Sequence, residues 1–168
     1  DSPPVDGLAF TNLAPGDFAK ARKQAEMLGI LGKPTALAEL LAVAVDHSPF
    51  ALAARATAHS MLGDRAAALA DVAAVEELAG RPEAHVSYWD LWVARVAGIA
   101  TAHGVEGDWR RTAVTSELDD LADVVLRAYA HEVLALLAGT EPDPQERAPR
   151  GWSTVARQMV TARTTANA

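Results

Sequence analysis

The stretch from Pro49 to Gly80, PFALAARATAHSMLGDRAAALADVAAVEELAG, decides how the rest of the chain is read. Just ahead of it, Ser48 supplies a side-chain oxygen for the free N–H groups of a first helical turn, and Pro49 brings a φ already suited to the first helical position. The pattern predicts a helix over residues 49–62, a stop at Gly63, and a second helix capped by Asp64 and running to about Leu78. Gly80-Arg81-Pro82 then breaks the chain again. Between these signals the sequence is dominated by alanine, which loses no side-chain entropy in a helix and lets two helices approach closely. The unit is a helical hairpin.

Upstream, Asp17 is suited to cap a helix ending near Leu31, Gly32 closes it, and Pro34 opens another through Val45. Residues 1–16 lack periodicity and read as an N-terminal arm or linker. Downstream, Val86, Trp89, Trp92/Val93, Val96 and Ile99/Ala100 recur at helical steps, predicting a fifth helix over about residues 83–103 that is central and covered on several sides. Gly104 to Thr115 is expected to be a connection. Thr115 or Ser116 is expected to cap a sixth helix reaching about Leu137. Residues Gly139 to Gly151, with Pro142, Pro144 and Pro149, form a loop, and a capping helix follows at 152–165. The expectation is an all-α chain of about seven helices, with residues 17–168 as one domain.

Composition agrees: of 168 residues, 50% are hydrophobic and only 5% aromatic, which disfavours sheets. The length suits one domain and excludes two large ones. No cysteine is present, which removes disulfides, thiolate metal sites and cysteine nucleophiles. No apolar run approaches the roughly 18 residues of a membrane span, so no membrane partner is expected. The chain opens at Asp1 with neither an initiator Met nor a signal peptide and is expected to be cytoplasmic and a piece of a longer protein. The net charge of −7 is uneven: residues 116–146 carry −7 and residues 147–168 carry +4, so the acidic segment and the basic tail are set to attract each other. The body of the domain lacks the Lys/Arg stripe that phosphate backbones require, so no nucleic-acid partner is expected.

Gly32 and Gly63 lie 31 residues apart, each between paired helices, which makes the hairpin a repeat. Ala56, His59, Leu62-Gly63-Asp64, Ala68, Val72 and Val75, with Ala25, Gly32, Leu37, Leu41, Ala44 and Pro49 in the preceding unit, resemble the tetratricopeptide (TPR) repeats. The match covers residues 17–80 well and 83–137 loosely. It departs from the family in its period, which is about 34 residues there, and in alanine or histidine at the marker aromatic positions. The resemblance implies antiparallel hairpins stacked as a right-handed repeat or bundle, and a concave face built by the first helices. It implies a protein- or peptide-binding scaffold, of the kind attached to large bacterial transcription regulators, with Ala53, Arg55, His59, Tyr88, Trp92 and Arg95 as contact residues. A second copy of the chain, giving a homodimer, is admitted as a partner.

Two other readings compete. The aromatic group has two readings: core packing is the default, and in the other Tyr88, Trp92 and Arg95 spread to an adjoining face and line a pocket for a small apolar ligand, as in a sensor domain. Asp119-Asp120-Leu121-Ala122-Asp123 resembles the DDxxD motif of all-helical isoprenoid synthases, in which carboxylates on one helix face hold Mg²⁺. No second acidic motif of that kind accompanies it, and acids in the first turn of the sixth helix account for the run through the helix dipole. His47, His59, His85, His103 and His131 form no HxxxH or HExxH pair, and no serine lies in a Gly-x-Ser-x-Gly elbow. The scaffold reading calls for no catalytic residue, metal or cofactor, and so for no enzyme.

Overall fold

The computed structural model describes residues 26–29, 31, 48–102, 117, 121 and 123–166. The arm at 1–16, the helix expected at 34–45 and the connection expected at 104–115 lie outside them. The described residues contain no strand and form five α-helices with one 3₁₀ turn: α1 (Pro49–Met61), α2 (Arg65–Ala79), α3 (Tyr88–Ala102), α4 (Val124–Leu137), the 3₁₀ turn Pro144–Glu146 and α5 (Arg150–Ala166). Residues 26–29 and 31 are helical too, and Met27, Leu28 and Leu31 are buried in the core. None of these helices is long and apolar enough to cross a membrane.

The first hairpin forms from the local signals. Ser48 Oγ accepts from the Ala51 N–H at 3.3 Å, and Asp64 Oδ1 accepts from the Ala67 N–H at 3.2 Å. Between them Gly63 takes φ +80°, a left-handed conformation that side chains disfavour. The Gly63 N–H donates to Ser60 O and the Asp64 N–H to His59 O, which closes α1 as a Schellman motif. Gly139, at φ +74°, ends α4 by the same device, with its N–H on Leu136 O and that of Thr140 on Ala135 O.

Two helix starts differ from the pattern. α3 begins at Tyr88, because Ser87 Oγ accepts from the Asp90 N–H at 3.0 Å, so residues 83–87 stay outside it. α4 begins at Val124, because Asp123 is its cap, with the carboxylate accepting from the Leu126 N–H at 2.9 Å. Neither Thr115 nor Ser116 is described, so their expected capping role lies outside the structure. α5 starts at Arg150, behind Pro149, and so takes Gly151 out of the expected loop.

α1, α2 and α3 pack on one another, and α5 lies against α1, α3 and α4. α1 and α3 are therefore enclosed on most sides, whereas α2 buries only Ala68, Asp71, Val72 and Val75. Small residues permit the closeness: a Cβ built on Gly98 of α3 would stand 3.3 Å from Val72 Cγ1 of α2. Polar ties cross the same interfaces. The Thr101 hydroxyl donates to Ser60 Oγ at 3.0 Å, joining α3 to α1, and the Gln158 amide donates to Met61 O at 3.3 Å, joining α5 to α1.

The core is aromatic where α3, α4 and α5 meet. Trp152 of α5 stands edge-on to Trp89 with ring centroids 5.7 Å apart, and 4.9 Å from Tyr129 of α4. The Tyr129 hydroxyl donates to Met159 Sδ at 3.7 Å. Burial disfavours the phenolate and raises the Tyr129 pKa far above its ordinary range. Because the folded pKa is the higher one, the unfolded chain releases this proton first, and stability falls as pH rises past the ordinary tyrosine value of about 10. Denaturant midpoints measured on both sides of that pH should show the drop, and Tyr129→Phe should make it smaller.

Candidate functional site

The six residues expected at a partner-binding face fall into two separate groups and one core position. Ala53 is completely buried, with no surface left to offer a partner. A side chain at the middle of α1 is enclosed because α2, α3 and α5 all pack on that helix.

Arg55 and His59, one helical turn apart on α1, both reach Asp71 on α2. Arg55 Nη2 lies 3.6 Å from Asp71 Oδ1, and His59 Nε2 lies 3.6 Å from Asp71 Oδ2. On its other side His59 Nδ1 is 3.9 Å from Asp64 Oδ2, the carboxylate that caps α2. The imidazole therefore sits between two acids at the closed end of the hairpin. Arg55 Nε and Nη1 are buried without a hydrogen-bond partner among the described residues, so the guanidinium is held chiefly by its charge. The neighbouring Ser60 hydroxyl is turned to Thr101, not to His59. This arrangement fastens α1 to α2.

Tyr88, Trp92 and Arg95 form the second group, on the side of α3 that faces α2. Trp92 belongs to the core at 3% exposure, which corrects the expectation that it lines an open face. The Arg95 guanidinium lies 4.9 Å from the Trp92 ring centroid, and its Nε is 3.4 Å from Glu76 Oε2 on α2. Tyr88 is tilted against Trp92 at 6.3 Å and is 47% exposed. The surface that results is an aromatic ring with a cation beside it, both resting on a buried indole.

Asp71 and Glu76 were not among the expected residues. They lie about 140° apart around α2, flanking Val72 and Val75, so one carboxylate turns to α1 and the other to α3. Acids at the margins of an apolar stripe were the available signal. The same holds for Glu132 on α4, enclosed beside Val133. The Ala148 N–H donates to its Oε1 at 3.2 Å, the Ser153 hydroxyl donates to Oε2, and Arg157 Nε stands 3.6 Å from Oε2. Here the basic C-terminal helix and the acidic segment meet, as their charges predict.

Of the carboxylate motif at 119–123, only Leu121 and Asp123 are described. Leu121 and Asp123 are outside any helix, and Asp123 is occupied as the α4 cap, so no shared helix face presents Asp123 to a metal ion. Asp119 and Asp120 lie outside the described residues, as do His47 and His103. Comparison with family models, with curated proteins and with solved structures finds no match.

Proposed function

We propose that the chain is a helical scaffold module that binds a protein or peptide, serves as a regulatory part of a larger protein and carries no catalytic step. The observation that supports it most is the Tyr88–Trp92–Arg95 group. Tyr and Arg contribute most at interfaces when they are pre-ordered and bring large contact area at low entropic cost. Tyr88 leans on a buried Trp92 and Arg95 is clamped between Trp92 and Glu76, so both groups meet a partner with their conformations largely set. The α1–α2 hairpin, with its Gly-Asp turn and small residues at the helix contact, supports the TPR-like reading from which the scaffold role follows.

Selection of displayed peptides against the full chain tests this reading. Peptides enriched by the wild-type chain should bind Tyr88→Ala at least tenfold more weakly, the scale of an interface hot spot. The variant keeps its helical circular dichroism, since it truncates a half-exposed ring. Equal binding by both chains removes the site.

A further inference from the structure

Tyr88, Trp92 and Arg95 stand at positions i, i+4 and i+7 of α3 and so share one face of it, with the outer two about 10 Å apart along the helix axis. A guanidinium carries five N–H donors in a fixed fork. In Arg95 the Nε edge is used, since it meets Glu76 Oε2 at 3.4 Å. Nη1 and Nη2 have no partner among the described residues and are not enclosed, so the fork opens to solvent beside the Trp92 ring. Arg55, by contrast, has Nε and Nη1 enclosed and turns its remaining Nη2 to Asp71. Arg95 is therefore a positive group held at its stem and available at its tip, with the half-exposed Tyr88 ring two turns away.

We infer that this face selects a peptide segment carrying an Asp or Glu side chain, with the carboxylate on the Arg95 fork and an apolar side chain of the same segment on the Tyr88 ring. The inference rests on the scaffold reading and adds to it the chemistry of the ligand. A partner that covers Tyr88 and the neighbouring face also takes water from the two Arg95 Nη groups. An apolar partner leaves those charged donors without acceptors, which costs more than covering the ring returns, and a cationic partner meets a like charge. A carboxylate accepts from both Nη groups at once, in the geometry that the fork already has. Trp92 beneath the guanidinium and Glu76 at Nε hold that fork before any ligand arrives, so little side-chain freedom is lost on binding. Glu76 is also a competitor within the site: it shares the guanidinium and repels a second carboxylate, and at 22% exposure it lies near the surface where the ligand enters.

The probe is a library of short random peptides displayed through their C-termini, so that every carboxylate in it is a side chain, selected against the full chain. The wild-type pool is expected to be enriched in Asp and Glu over the input, and the pool selected on Arg95→Gln to lose that enrichment. For a peptide from the wild-type pool, synthesised with an amidated C-terminus, changing its acid to the corresponding amide should weaken binding to the wild-type chain about tenfold and leave binding to Arg95→Gln nearly unchanged, the signature of a direct pair. Binding of the acidic peptide falls as salt is added. Arg95→Lys keeps the charge without the fork and falls between the wild type and Arg95→Gln. Glu76→Gln keeps an acceptor for Nε and removes the competing charge, so it binds the acidic peptide several-fold more tightly, a gain that impaired folding does not produce. Peptides that depend on Tyr88 but carry no acidic enrichment overturn the inference and leave the scaffold reading in place. So does an acid-to-amide penalty of equal size on the wild-type and Arg95→Gln chains. A selection that yields no peptide sensitive to Tyr88→Ala removes the scaffold reading and this inference with it.

Discussion

Trp152→Ala lowers the stability of the folded chain by about 3–5 kcal/mol, the range for truncating a large aromatic in a close-packed core. In a chain of this size that is a fall in melting temperature of roughly 6–20 °C. The ring is 1% exposed and touches aromatics from two other helices, Trp89 on α3 and Tyr129 on α4. Truncation empties the junction of α3, α4 and α5 at once, and the surrounding helices have little freedom to close the void. Trp152→Phe separates packing from hydrogen bonding. It keeps most of the ring contacts and deletes an N–H that has no partner among the described residues, so it should cost clearly less than the alanine variant. Denaturant unfolding of the three chains, compared at their midpoints, checks the order.

The second large effect is expected at Glu132. Glu132→Ala removes the acceptor of the buried Ala148 N–H and of the half-buried Ser153 hydroxyl together. Charged acceptors and orphaned donors each weigh about 1–3 kcal/mol, so a loss of about 2–4 kcal/mol is expected. Arg157 adds little to that sum, because its exposed guanidinium regains water when the carboxylate is gone. Glu132→Gln keeps one acceptor oxygen and should cost less than half as much. Adding Ser153→Ala to Glu132→Ala should cost far less than Ser153→Ala alone, since the two side chains share one bond; a double-mutant cycle by chemical denaturation measures that coupling. Strict additivity of the two substitutions would mean the pair does not hold α5 to α4.

How far the fold was legible depended on whether a signal was local. Ser48, Pro49, Gly63 and Asp64 each act on backbone groups within three or four residues, and the α1–α2 hairpin stands where they put it. The starts of α3 and α4 were misplaced because apolar periodicity ran on past them. Pro82 marks the break before α3, but Ser87 holds the cap, and of the acids near 117–123 it is Asp123 that caps α4. Arg127 Nη1 donates to Leu121 O at 2.8 Å, a contact reaching six positions back that no pattern announces.

The candidate site divided in the same way. That Arg55 and His59 share a face follows from their spacing of four; that both meet Asp71 required knowing which flank of α2 meets α1. Trp92 was read both in the core stripe and on the adjoining face, and the packing of α1, α2, α4 and α5 around α3 puts it in the core. Tyr88 alone of the three aromatics on that helix retains a large exposed surface.

That α5 completes the core by lodging Trp152 between α3 and α4 is the premise of both stability predictions. A NOESY spectrum of the full chain tests it most directly. Cross-peaks from the Trp152 ring to the rings of both Trp89 and Tyr129, whose centroids lie 5.7 and 4.9 Å away, are the predicted result. Trp152 resonances at unstructured shifts, with no cross-peak to either ring, would contradict it.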